Sequence, residues 1–205
     1  YPASYRVPYG LEKTDNANVV ARAEVLEKIS TGKNTWIVTY PKAVFEKIPS
    51  QKTLVKNTLK LEHGKNYGID FINEQLLDLN FDRVDFVYEP GQFSIRGGIV
   101  DVFSYSNDQP YRIEFFGDEV DSIRTFDAST QLSINTHKFF NIVPNVQGEM
   151  IGDGNVSFFD FLGEHATVWL SSYDITKNTL DKEYKKAVKV YNSIESHVAP
   201  TIPDN

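Results

Sequence analysis

Cysteine is absent from all 205 residues of the chain, which excludes disulfides and thiolate metal sites and fits a cytoplasmic setting. No run approaches the roughly 18 to 20 apolar residues that a bilayer-crossing helix needs, and no signal peptide is present. The chain opens on Tyr1-Pro2 without an initiator methionine, as expected of an excerpt from a longer protein. Positive charge is outweighed, with 21 Lys and Arg against 28 Asp and Glu. The formal net charge is −7, so wholesale non-specific binding to nucleic acid is not expected, and only a local basic patch is left open.

Lysine disappears between Lys65 and Lys138, and the only cations inside that gap are Arg83, Arg96, Arg112 and Arg124. Arginine offers a planar fork of donors that suits carboxylates and protein interfaces; lysine does not. Chance, with arginine's tolerance of half-buried strand positions, explains the same composition.

Motifs for catalysis are also missing. Gly32-Lys33-Asn34-Thr35 is similar to the end of a phosphate-binding loop, but Glu27 stands where its first glycine belongs and Asn34 where Ser or Thr is required. The stretch also follows a helix and precedes a strand, the reverse of the required order. His63, His137, His165 and His197 form no i, i+4 pair and read as surface or loop histidines. Asp118, Glu119 and Asp121 follow a hairpin turn, where a solvated turn is the default, and no serine nucleophile elbow is present. Nothing supports an enzyme, a cofactor or a metal site.

What is present is an α/β chain with an inserted α+β module. Residues 1–13 read as a Tyr- and Pro-rich loop. Asp15 or Asn16 caps a helix through about Ile29, with Val19, Ala23, Leu26 and the neighbouring Val25 on one side. TWIVTY (35–40) is a continuous apolar run, expected as a buried strand, and Pro41 suits the first turn of a short helix. The pattern changes near Ile48-Pro49-Ser50. NTLKLE (57–62) alternates, and Asp70 is placed to cap a helix through Leu79. Strands follow at 83–88, 93–96, 98–103, 111–116, 119–126, 131–134 and 138–143, with Gly97-Gly98 as a hairpin or bulge and Gly117-Asp118 as a hairpin turn. Residues 144–155 read as a linker, ATVWLSS (166–172) as another buried strand, and 178–194 as an amphipathic helix with Leu180, Tyr184, Ala187, Val188 and Tyr191 on one face. The expected division is 1–47 and 146–205 as α/β, with a mainly antiparallel module at 48–145 between them.

The strand faces carry the functional signal. In YRIEFF, Tyr111, Ile113 and Phe115 point one way, and Arg112, Glu114 and Phe116 the other; in FSIR, Ser94 and Arg96 oppose Phe93 and Ile95. One face is core. The other offers arginines, a carboxylate and a spare aromatic, the residue types enriched at binding hot spots. The competing expectation is a cross-strand Arg–Glu pair on a solvated face, with Phe116 tucked under a neighbouring element.

RVDFVYEPGQFSIRGGIVDVF and PYRIEFFGDEVDSIRTFDASTQ closely resemble the UvrB-homology region of bacterial transcription-repair coupling factors (Mfd), with a more distant version in UvrB. The resemblance is dense over about 83–131, extends to YPASYRVPYGLEKTDNANVVARAEVLEKI, and fades after Pro144. It implies a degenerate helicase-like α/β domain interrupted by an inserted module, domain 2, that binds UvrA. It also implies that RNA polymerase, DNA and the ATP-driven motor are engaged through other regions of the full protein. Carried over by position, the partner-binding residues are Arg83, Arg96, Arg112 and Glu114; Ser94 stands where UvrB often has another arginine, and Phe116 is added because it shares their face. UvrB's Tyr-rich DNA-clamping hairpin has no room between Tyr9 and the first helix, which favours the coupling-factor reading over a fragment of a damage-binding UvrB-like ATPase.

Overall fold

The structure is a computed structural model that describes residues 1–4, 16–32, 34–146, 155–164 and 166–195. Most of the opening loop, Asp15, Lys33, residues 147–154 of the expected linker, His165 and His197 lie outside the described residues.

Helix α1 spans Asn16–Ser30 and buries Val19, Val20, Ala23 and Leu26. Helix α2 (Pro41–Phe45) starts on its proline, whose fixed φ suits a first turn. A two-residue strand β1 (Ile48–Pro49) leads into α3 (Gln51–Lys56), a helix not expected from the sequence; the Ser50 hydroxyl caps it by accepting from Thr53 N at 3.1 Å. Strand β2 (Leu59–Glu62) precedes α4 (Ile69–Asp78). Gly68 is the N-cap of α4, and Asp70 sits inside the first turn, where its charge favours the helix dipole.

The remaining strands are β3 (Asp82–Arg83), β4 (Gln92–Arg96), β5 (Ile99–Val102), β6 (Tyr111–Phe116), β7 (Glu119–Phe126), β8 (Ser133–Thr136), β9 (Phe139–Ile142) and β10 (Asn155–Val156). Helices α5 (Phe158–Leu162) and α6 (Tyr173–Glu195) follow. α5 was also unexpected, and a capping box between Ser157 and Asp160 sets its start.

One six-stranded sheet has the order β3-β4-β5-β6-β7-β8, antiparallel except for the short β3–β4 pairing. Two-residue turns at Gly97-Gly98 and Gly117-Asp118 fix its register, pairing Arg96 with Ile99 and Phe116 with Glu119. β2 pairs with β9 in a separate ladder, and β1 pairs with β10. On the inner face, Phe93, Val100, Val102, Tyr111, Ile113, Val120 and Ile123 pack against Ile72 and Leu76 of α4 and against Leu61, Phe140 and Ile142. Each such fully buried side chain contributes about 1.5–3 kcal/mol. A second cluster joins Ala23 and Leu26 of α1 to Val44, Ile48, Leu54, Val143, Phe158 and Phe161.

Several expectations are corrected. RVDFVY is not a strand beyond Arg83. After Val84 N donates to Phe93 O (2.9 Å), the chain leaves the ladder and crosses the outer face of the sheet. Val87 drops into a small apolar cluster with Phe103 and Phe126, and the Asp85 carbonyl turns toward the side chains of β4. The strand placed at 131–134 begins at Ser133, because Gln131 adopts φ 61° in a turn closed on Asp127. TWIVTY and ATVWLSS form no ladder among the described residues, and Trp36 and Trp169 are 96% and 85% exposed. An apolar run becomes a buried strand only where neighbours cover both of its faces. Among the described residues, Val38 and Thr39 are met by hydrogen bonds with the backbone of Tyr1. α6 begins five residues earlier than expected and packs on α2, but Tyr184 and Val188 of its apolar face are exposed.

Candidate protein-binding site

The outer face of the six-stranded sheet is polar at its centre because of register. Ser94 of β4, Asp101 of β5 and Arg112 of β6 lie side by side, followed by Arg124 of β7. Asp101 is the residue that sequence reasoning missed. It is only 1% exposed, an unusual position for a carboxylate, which is buried only when paired. Arg112 donates to it twice, from Nε at 2.7 Å and Nη2 at 2.8 Å, and Arg96 donates from Nη2 at 2.5 Å. The Arg112 bond to Asp101 pushes that guanidinium above its ordinary pKa, against the opposing effect of burial.

Rings support both arginines. Arg112 lies over Phe126 at 4.4 Å and Arg96 over Phe86 at 5.1 Å from the ring centroids. Arg112 also donates to Gln131 Oε1 at 3.0 Å. Arg96 donates through Nη1 to Asp85 O at 2.5 Å and to Ser94 Oγ at 3.2 Å, and the Ser94 hydroxyl donates to Asp85 O at 3.0 Å. Ser94 is thus buried, and its hydroxyl ties the 84–90 loop to Arg96.

The other expected residues fall into two positions. Glu114 does not pair with Arg112. Its partners are Arg124 across the strand and the Ser122 hydroxyl, which donates at 2.9 Å. The cross-strand Arg–Glu pair therefore exists, but Phe116 is not tucked away; it is 83% exposed at the end of β6. Arg83 stands apart at the sheet edge, in register with Phe93, and its Nη1 donates to Asn73 Oδ1 of α4 at 3.4 Å. Arg83 and Arg96 border one surface hollow of about 640 Å³, with Phe86 and Ser94 in its wall. Arg96, Arg112, Glu114 and Phe116 share the face, and Arg83 flanks it. Among the described residues, no group of His, Asp and Glu is placed to hold a metal ion, and no helix is long and apolar enough to cross a membrane.

The face presents fixed guanidinium groups, a carboxylate at their side and projecting aromatics, residue types enriched at protein-binding hot spots. Comparison with known proteins agrees on the class. Residues 59–147 match the UvrB interaction domain family. The chain is 33% identical over 123 residues to the transcription-repair-coupling factor of Bacillus subtilis (strain 168), covering 60% of this chain and 10% of that protein. It is 30% identical over 144 residues to the transcription-repair-coupling factor of Myxococcus xanthus, covering 70% of this chain and 12% of that protein. It is also 33% identical over 120 residues to the UvrABC system protein B of Streptococcus uberis, covering 58% and 17% respectively. The resemblance to the UvrB-homology region of the coupling factors thus holds over most of the chain, while the chain spans only 10% to 17% of the length of these relatives.

Proposed function

We propose that this chain is a non-catalytic, cytoplasmic interaction region of a transcription-repair coupling factor, and that the outer face of its six-stranded sheet binds UvrA. In this reading the module recruits UvrA to stalled transcription complexes for nucleotide excision repair. RNA polymerase and DNA are engaged by other regions of the full protein, and the segments around the module belong to a degenerate helicase-like α/β domain. Arg96, Arg83 and Phe116 make the outward contacts, and Arg112 and Glu114 complete the charge pattern. The observation that carries the reading is the fixed pair Arg96 and Arg112 on the exposed face of a segment that matches the UvrB interaction domain. Charge patterns of this kind set specificity and on-rate more than raw affinity.

The test is calorimetric titration of purified UvrA from the same source into this chain and into Arg96→Glu, with folding checked by circular dichroism. Reversal of a desolvated contact is expected to cost about 2 kcal/mol or more. Equal affinity in the folded variant would move the site off this face.

A further inference from the structure

Asp101 is too deeply buried to touch a partner, yet it accepts three N–H bonds from two arginines that are not. Each guanidinium is held at its edge by this carboxylate and on its flat face by a phenylalanine, Phe86 for Arg96 and Phe126 for Arg112. The bonds also divide the labour between the two. A guanidinium has five N–H donors. Arg112 commits Nε, both Nη2 hydrogens and one on Nη1 inside the protein. Among the described residues, Arg96 commits three, to Asp85 O, Ser94 Oγ and Asp101, which leaves two for a carboxylate arriving from outside.

We infer that Asp101 is the positioning residue of the UvrA-binding face. It never meets the partner, but it locks Arg112 as a buttress and presents Arg96 in one orientation. Two arginines on one aspartate leave the trio net positive, so the face still attracts an acidic partner. Ordering a long side chain on binding costs affinity, and a side chain ordered beforehand avoids that cost. The inference rests on the reading of this face as the UvrA site, and the experiment separates the two.

In the ¹⁵N-labelled chain, the Arg112 Nε–H resonance is expected to be shifted and slow to exchange, whereas that of Arg83, which among the described residues donates through Nη1 alone, behaves as a solvent-exposed arginine. In Asp101→Asn, the Arg112 signal moves to the shift and exchange rate of Arg83, and affinity for UvrA falls about tenfold as preorganisation is lost. A folded Asp101→Asn with wild-type affinity, beside an Arg96→Glu that loses binding, overturns the positioning role and leaves the interface in place. An Arg96→Glu that binds like wild type overturns both. A wild-type Arg112 Nε–H that exchanges as fast as that of Arg83 overturns the positioning role without any variant, so the result does not depend on how well Asp101→Asn folds.

Discussion

Arg112 and Asp101 meet across adjacent strands in a two-pronged bond, Nε to Oδ1 and Nη2 to Oδ2, at 2.7 and 2.8 Å. The pairing is in register, so neither strand has to deviate to make it. It also raises the guanidinium pKa further, and Arg112 therefore stays charged wherever the protein is folded. The charge pattern of the face does not switch on or off through this arginine.

Phe116 separates stability from binding. Its ring is almost wholly in water, so Phe116→Ala is expected to change unfolding free energy by less than about 0.5 kcal/mol in urea titrations. If the ring is an interface anchor, the same variant weakens UvrA binding by about 1–2 kcal/mol. A large stability loss would mean that the ring packs inside the fold.

Gly91 has the opposite profile. Its φ is +89°, and a Cβ there would stand 2.1 Å from the Tyr105 hydroxyl. Gly91 O accepts from Asp82 N and Gly91 N donates to Phe103 O, both at 2.8 Å, so the backbone cannot shift freely. Gly91→Ala is expected to cost roughly 2–3 kcal/mol by chemical denaturation. Because this turn ends the 84–90 loop that carries Phe86, UvrA affinity is expected to fall with it.

The turn that presents Gln131 to Arg112 is sensitive to acid. Asp127 accepts from Thr130 N, the Thr130 hydroxyl and Ser129 N, and these bonds, the Thr130 backbone bond first, hold its pKa below the ordinary aspartate value. A depressed carboxyl contributes stability that is present above its unfolded-state pKa and is lost as pH falls through the folded-state value. Carbon-detected titration of the Asp127 carboxyl is expected to show a midpoint below that of a free aspartate. Asp127→Asn removes this acid-side dependence and loosens the Arg112–Gln131 contact. A midpoint at the ordinary value would contradict the turn geometry.

Duplex DNA gives a further check. With a net charge of −7 and arginines largely committed to Asp101 and Glu114, the chain is expected to show no tight binding to damaged duplex in fluorescence anisotropy. Tight binding that weakens steeply with salt would favour a DNA-handling role instead.

Much of this site is legible in the residue pattern, and the gaps have physical causes. The alternation in YRIEFF and FSIR assigns the faces of β4 and β6, and the glycine-marked turns give their register. Asp101 was within reach of the same count: a two-residue turn at Gly97-Gly98 puts Ser94 opposite Asp101. Nothing in the strand expected at 98–103 marks Asp101 as a carboxylate that two arginines hold in the interior. The 84–90 loop is not legible, since it is held by bonds donated by the Ser94 and Arg96 side chains and accepted by Gln92 Oε1, all of which depend on the folded sheet. TWIVTY and ATVWLSS show the limit of hydrophobicity, which says what a segment would bury and not what lies beside it.

The most direct test of the central claim is side-chain hydroxyl-radical footprinting of this chain with and without UvrA. Phe86 and Phe116 stand exposed on or beside the proposed face, and Phe71 of α4 and Phe139 of β9 are exposed elsewhere. UvrA is predicted to protect Phe86 and Phe116 while Phe71 and Phe139 keep their reactivity. Protection of Phe71 or Phe139, with Phe86 and Phe116 still reactive, would contradict the assignment of the binding site to the outer face of the sheet.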